Sequence, residues 1–529
     1  RFGEKVQQEL VSDWGEPPGD FMVSEGKMVI PGIINGHIFI GLQPPRAFEE
    51  KAEECYHSTD LVCPHQYLGF YRWIKHDFGA HVIIHVGTHG TLEWLPGKEI
   101  GLSKDCYPDL AIDDLPHLYP YIINVPGEGV QVKRRSYGVL ISHLIPSLQE
   151  SDTYGELADM DALIKEYFHA QKGDVGKLPY LQEQIWELAK KLELHNDLNV
   201  TKEAAMADFD GFLQNMHAWM EKIKSSLIKD GLHLFGEAPA GERLKNMLRA
   251  LVRLRNGDIP SLPEAIAACK GLDYEQLLAE PTAFSEPGKT NLMVLEEINL
   301  DGRKLFAALA AQAYSETAID RVVNEFLQQQ QIEPAAEGVA KLTTCLRFVC
   351  TDLLPRLNST VDEIHNLING VNGEFVPPGP SGCPTRGQAR ILPTGRNFYT
   401  IDPAAVPTRA AWEVGKRLGD DLLKRYLDEG GKYPENVAII IYAGETMKTC
   451  GDDVAETLYL LGIKPKWLGN TDRVIGLEVI PPEELGRPRI DVTLRISGLF
   501  RDTFPNLIGF VEDAIALAAA QEEDYSVNF

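Results

Sequence analysis

The chain has 529 residues and a formal net charge of −26, from 51 Lys+Arg against 77 Asp+Glu, with 44% hydrophobic and 24% charged residues. This is the composition of a folded globular chain of about three or four domains. It excludes disordered, collagen-like and disulfide-scaffold classes, and a chain this acidic is a poor general binder of nucleic acid or anionic membrane.

Residues 1–150 read as mixed α/β. Met28–Ile30 and Gly36–Gly41 have strand character, His65–Phe78 is an amphipathic helix, and Ala80–Val86 is a buried, β-branched strand. A stretch dense in Gly and Pro, Gly87–Gly129, follows and reads as one long functional loop. From 151 to about 372 helical patterns dominate: Tyr180–Leu192, Arg303–Gln331, and Leu342–Ile368 broken near Pro355. Gly370-Val-Asn-Gly373 links to a second α/β segment. There a Pro/Gly-rich loop at Pro377–Gly387 precedes helix Thr408–Glu429, strand Val437–Tyr442, helix Asp452–Leu461, strand Arg489–Ile496 and helix Phe504–Ala520. Strand–helix alternation predicts parallel pairing. The expected fold class is α/β, with two mixed α/β domains carrying parallel sheets (1–150 and 373–529) flanking a mainly helical domain (151–372). No apolar run approaches the roughly 18 residues of a membrane span. The eight cysteines form no C-x-x-C pair, and with no signal peptide at the start, the expected compartment is reducing and cytoplasmic.

Nine of the 14 histidines fall within residues 1–143, among them His37, His81, His85, His89 and His117. In Val86-Gly-Thr-His-Gly-Thr-Leu-Glu-Trp94, His89 and Glu93 emerge beyond the carboxyl end of a buried strand, where ligands gather in parallel sheets. An imidazole and a carboxylate four residues apart can share a metal or relay a proton; the alternative is a Gly-rich turn with a structurally bonded His. No phosphate-binding loop is present: six residues separate Gly90 from Gly97, and Glu99 rather than Ser or Thr follows Lys98. His57, Asp60 and His65 form a second polar group, with helix capping as the plain reading. Pro126-Gly-Glu-Gly129 feeding Lys133-Arg-Arg135 suits anion binding or a solvated helix face. Leu392–Asp402 brings Arg396, Asn397 and two aromatics. Gly444-Glu445 and Gly498–Asp502 follow predicted strands. Asp491 lies inside a strand pattern, where a carboxylate needs a partner such as Arg501.

Taken together, these segments resemble the large subunit of the class I metal chelatases, the family of the cobaltochelatase large subunit and the magnesium chelatase H subunit. The resemblance is carried by His85–Lys98, Cys106-Tyr-Pro-Asp109, Tyr119–Glu128, Lys133–Arg135, Leu485–Val492 and Gly498–Asp502. It is densest in 25–148 and 377–513. Trp94-Leu-Pro-Gly97, Pro126–Gly129, Gly379–Gly387 and Leu392–Tyr399 resemble the cobalt branch, while Cys383 departs from the small residue expected there. Members of the family are longer, so the chain reads as a piece of a larger polypeptide.

The resemblance implies ATP-dependent insertion of a divalent metal into a tetrapyrrole. The metal substrate is Co²⁺ and the acceptor hydrogenobyrinic acid a,c-diamide; Mg²⁺ and protoporphyrin IX are the alternative. ATP and its Mg²⁺ are used by partner subunits, an AAA+ ATPase and its companion. The expected roles are His89 and Glu93 as transient metal ligands, and Glu93 as the base that takes a macrocycle proton, with Asp491 or His65 as alternatives. Tyr67 and Trp94 are expected against the macrocycle face, with Lys133, Arg134, Arg396, Arg501 and Asp502 at its rim. A non-catalytic tetrapyrrole or metal carrier is a competing reading. An ordinary metallohydrolase ranks last, because no H-E-x-x-H ligand set is present.

Overall fold

The computed structural model describes residues 2–48, 51–55, 58, 60–150, 156–224, 227–281, 283–286, 289–331, 335–469 and 471–523. The chain divides into two compact units, one formed by 1–144, 360–383 and 393–529, the other by 145–359 and 384–392. The fold is α/β, as expected. The two α/β segments lie within one unit rather than in separate domains, and the expected Pro/Gly loop at 377–387 is shared out between the units.

In the first unit, helix α1 (Glu4–Trp14) and the hairpin β1 (Gly32–Asn35)/β2 (Ile38–Gly41) precede helix α2 (His65–His76). A parallel sheet follows, β3 (Ile83–Ile84), β4 (His117–Ile122) and β5 (Val139–His143), in that spatial order. The register sets Ile83 beside His117 and Leu118 beside Val139. The crossover from β3 to β4 contains a 3₁₀ turn, Leu92–Trp94, and helix α3 (Tyr107–Ile112); that from β4 to β5 is helix α4 (Pro126–Ser136). The expected long loop at Gly87–Gly129 is therefore filled with structure. Two of its prolines, Pro108 and Pro126, sit where helices tolerate them, in the first turns of α3 and α4.

Helix α5 (Asp362–Val371) leads to the short parallel pair β6 (Pro378–Pro380) and β7 (Asn397–Tyr399). Main-chain bonds from Gly395 N–H to Ser142 O (2.7 Å) and from Ser142 N–H to Arg396 O (2.9 Å) join this pair to β5. Tyr119, Tyr121, Val132, Leu140 and Phe398 form the core beneath α4.

Helix α6 (Arg409–Gly430) follows its sequence signals: Thr408 caps its start, accepting from Ala411 N–H, and Gly431 ends it in the left-handed region (φ 70°). Strand β8 (Asn436–Ile441) then precedes helices α7 (Ala443–Thr449) and α8 (Asp452–Leu460). After the hairpin β9 (Ile463–Trp467)/β10 (Val474–Val479), strand β11 (Asp491–Ile496) leads to helices α9 (Gly498–Thr503) and α10 (Pro505–Ala519). β8 and β11 pair in parallel, whereas β9 and β10, absent from the sequence reading, pair antiparallel.

The second unit is mainly helical. Glu156–Gly173, Leu178–Lys191 and Phe209–Lys224 share a core of Met160, Ile164, Leu181, Ile185, Leu213 and Met216. The helix expected over Arg303–Gln331 is two helices, Asn291–Ala311 and Ile319–Gln329. They are separated by Ala313 and Tyr314 at positive φ. Pro355 marks the expected break: a π-helical turn, Val349–Leu353, ends just before it.

Candidate functional site

The site forms where the chain leaves β3. His85 N–H still bonds Leu118 O (2.9 Å), and Gly87 then turns the chain at φ 145°. Leu92 and Leu95 are fully buried in the core around α2. They anchor the 3₁₀ turn at both ends and so carry Glu93, which lies between them, out of solvent. Arg135 of α4 fixes the turn's exit by donating to Leu95 O (2.8 Å), and Arg46 donates to Trp94 O (3.0 Å). Gly97 (φ 142°) follows; a Cβ there would lie 2.8 Å from the Cβ of Cys106. Burial pulls the Cys106 thiol up, but the Lys98 N–H together with the hydroxyl and N–H of Ser103, all bonded to its sulfur, outweigh this and hold it below the usual thiol value.

Glu93 has no exposed surface, and neither of its oxygens meets a hydrogen-bonding partner on another residue. Burial raises its affinity for a proton, and its own amide, His89 and Arg135 offset only part of that rise. His89 is exposed. Its Nδ1 either donates to Gly90 O (2.8 Å) or, in the other tautomer, accepts from Trp94 Nε1–H (3.3 Å), and the two bonds exclude each other. When Nδ1 carries the proton and donates to Gly90 O, Nε2 keeps its lone pair, the state in which imidazole ligates metals. Trp94, half-buried, stands beside His89 with ring centroids 5.5 Å apart. Among the described residues no group of three or more His, Cys, Asp or Glu side chains is placed to hold a metal. His89 and Glu93 are two donors, an arrangement that suits a metal passing through as substrate better than a resident ion.

Other expected site residues have different places. Tyr67 is fully buried and bonds Thr91 Oγ1 (3.0 Å), so it cannot cover a macrocycle face; it supports the turn from inside. His65 opens α2 with its Nε2 bonded to Gly15 O (2.8 Å), tying α2 to the end of α1. Asp60 is exposed, and His57 lies outside the described residues. Asp491 is the first residue of β11 and is exposed. The strand starts there, so the carboxylate is solvated and needs no partner. It sits at the amino edge of the sheet, away from Gly498–Asp502 at the carboxyl edge. Arg501 pairs instead with Asp502 (2.8 Å).

The Pro-Gly-Glu-Gly segment is the first turn of α4 rather than a turn feeding it, and Lys133, Arg134 and Arg135 occupy its last turn, where the helix dipole favours cations. Lys133 donates to Asn397 Oδ1, and burial lowers its pKa. Arg134 reaches Thr503 Oγ1 (3.5 Å). Arg396 is part-buried, with its stem against Gly379. The start of α4 meets α7 and α9: a Cβ on Gly127 would be 3.1 Å from Gly444 Cα and 3.2 Å from Leu499 Cδ2. Helix α4 thus runs from the carboxyl edge of β8/β11 to the His89–Glu93 turn. Glu99 lies 3.9 Å from Arg135 at the end of α4.

Sequence reasoning missed the supports beneath the turn. Tyr119 Oη accepts from Gly90 N–H (2.6 Å), and Gln43 Oε1 accepts from Thr91 N–H (2.8 Å). Gln43 lies 48 residues from Thr91 with no motif of its own, so nothing local pointed to it.

The CobN/Magnesium Chelatase family matches residues 1–529. The chain is 43% identical over its whole length to an uncharacterized protein of Methanocaldococcus jannaschii, 41% of which it covers. It is 39% identical over 98% of its length to the aerobic cobaltochelatase subunit CobN of Sinorhizobium sp (42% of that protein), and 30% identical over 98% to the chloroplastic magnesium-chelatase subunit ChlH of Oryza sativa subsp. japonica (38%). The catalytic subunit of cobaltochelatase from Mycobacterium tuberculosis superposes on the full chain with a TM-score of 0.86 at 39% identity, and the chain covers 44% of it. The chain thus spans less than half the length of these relatives. A match that runs from the first residue to the last, through both units and the His89–Glu93 turn, places the chain in the CobN/magnesium chelatase family.

Proposed function

We propose that the chain is the metal- and macrocycle-handling part of a cobaltochelatase large subunit, inserting Co²⁺ into a corrin precursor, hydrogenobyrinic acid a,c-diamide. The observation that carries this reading is the pairing of an exposed imidazole, His89, with an enclosed, unpartnered carboxylate, Glu93, four residues on in the 3₁₀ turn that follows. Insertion exchanges N–H protons for the divalent cation, one from a corrin, which binds as a monoanion, and two from a porphyrin. The hydrated metal exchanges a water ligand for His89 Nε2 and releases that water to solvent. Glu93, whose burial raises its proton affinity, takes one N–H proton as the turn gives way to substrate. Once the metal has passed to the ring nitrogens, His89 Nε2 is released; with a porphyrin it would be free to take the second proton. Asp491 and His65 have no part in this scheme, one lying at the far edge of its sheet and the other bonded to Gly15 O. Trp94 flanks His89 and offers a flat face to the ring.

ATP is hydrolysed on partner subunits, an AAA+ ATPase and its companion, with which the chain works in the cytoplasm. Among the described residues no helix is long and apolar enough to cross a membrane. Imidazole ligation suits Co²⁺ better than Mg²⁺, which prefers oxygen donors. This favours the cobalt reading over Mg²⁺ insertion into protoporphyrin IX, and so does the higher identity to CobN than to ChlH. The test is a binding panel by fluorescence quenching and absorbance with both macrocycles. Selective binding of the corrin precursor is expected. A preference for protoporphyrin IX moves the chain to the magnesium reading, and binding of neither rejects this part of the subunit as the macrocycle site.

A further inference from the structure

Beneath the His89–Glu93 turn runs a chain of hydrogen bonds whose direction is fixed from one end. Ser136 O can only accept, so His117 Nδ1, 3.1 Å away, carries a proton. His117 Nε2 then accepts from His85 Nδ1–H (3.0 Å), and His85 Nε2 accepts from the Tyr71 hydroxyl (3.0 Å). Tyr71 Oη, its proton used, accepts from Gln43 Nε2–H (2.6 Å). That fixes which way the Gln43 amide faces: Oε1 points to the turn and accepts from both Thr91 N–H (2.8 Å) and Thr91 O–H (3.1 Å), leaving Thr91 Oγ1 to accept from Tyr67 (3.0 Å). Every link is satisfied, and burial holds both histidines neutral, as the chain requires.

We propose that Gln43 is the positioning residue of the site: it fixes Thr91, midway between His89 and Glu93, and is itself held by Tyr71 and the His85–His117 pair. Gln43 touches neither of the two donors, so its role is to place them. Oε1 also lies 3.0 Å from where a Cβ on Gly90 would stand, so the glycine lets the amide close on the turn. The consequence for metal handling rests on the chelatase reading; the placement of Thr91 does not.

Three variants and two readouts keep these apart. Amide hydrogen exchange at Thr91 is measured in wild type, Q43L, Q43E and Y71F, and Co²⁺ alone is titrated by its visible absorbance. Q43L removes both bonds to Thr91 and is expected to speed exchange there at least about tenfold and to weaken Co²⁺ binding by about 10–100-fold, the range for loss of an outer-shell partner. Q43E keeps an oxygen facing Thr91 and is expected to retain most of the amide protection. Y71F leaves Gln43 in place but unlocks its amide, and is expected to raise exchange several-fold even if Q43L does not fold. Unchanged exchange at Thr91 in Y71F and in any folded Q43L overturns the assignment. If wild type binds no Co²⁺, the chelatase reading fails while the exchange data still decide the role of Gln43.

Discussion

Glu93 carries an ionisable carboxyl out of contact with solvent and without a hydrogen-bonding partner on another residue. Its folded pKa is raised by burial, so its contribution to stability is present below the ordinary glutamate value and is lost as pH rises through the folded value. Glu93→Gln matches the neutral acid in shape. It is expected to raise the melting midpoint by roughly 2 °C or more at pH 8 and to leave it unchanged at pH 4, while abolishing metal insertion with macrocycle affinity retained within severalfold. A scan at the two pH values beside an insertion assay checks both; a midpoint lowered at pH 8 rejects the account of a strained carboxylate. His117 works in the opposite sense. Its pKa is lowered to about 4, chiefly by burial, against the usual 6.5. The unfolded chain therefore takes up this proton first as pH falls, and stability drops between about pH 6.5 and 4, by about 3 kcal/mol for a shift of this size. His117→Gln is expected to flatten that part of the stability curve, and parallel curves for the two proteins argue against a buried neutral imidazole.

Helix α4 shows which elements the sequence disclosed and which it hid. Where period and punctuation agreed, as in α6 with Thr408 before it and Gly431 after it, the sequence gives the element to within a residue or two. Pro126-Gly-Glu-Gly129 has the composition of a turn, and only packing shows it to be a helix start. Gly127 and Gly129 are there for what lies against them: a Cβ on Gly129 would be 2.5 Å from Phe398 Cζ and 3.3 Å from Tyr121 Cε1. Helix propensity alone favours alanine over glycine by about 1 kcal/mol. Gly129→Ala is nonetheless expected to destabilise the first unit by about 1–3 kcal/mol, because Phe398 is fully buried and has nowhere to move. Urea unfolding of the variant measures it, and a gain in stability would show that α4 can shift away from Phe398. The hairpin β9/β10 was missed for a similar reason: proline and lysine in Ile463–Trp467 blur its alternation, and its pairing lies seven or more residues away.

Across the molecule, the sequence located the His89–Glu93 turn through its rare motif, but not the division of labour around it. Residues of one chemical type were assigned one role because a sequence carries no burial. Tyr67 and Trp94 are both aromatic, yet one is sealed beneath the turn and the other stands beside His89. The cations divide in the same way. Lys133 is part-buried and holds β7 through Asn397, whereas the Arg501 side chain is 65% exposed and bonded to Asp502 alone among the described residues. An anionic macrocycle rim can recruit the second without disturbing the fold, but not the first. Lys133→Gln is therefore expected to lower the melting midpoint, through the loss of a part-buried, charge-assisted hydrogen bond, and to change rim recognition only as far as it loosens β7. Arg501→Gln is expected to leave the midpoint unchanged and to weaken binding of a carboxylate-bearing macrocycle several-fold, with the difference shrinking as salt is raised. Melting curves and macrocycle titrations of both variants at low and high salt distinguish the roles. If Arg501→Gln lowers the midpoint and spares binding, this cation is structural and the macrocycle rim is read by other residues.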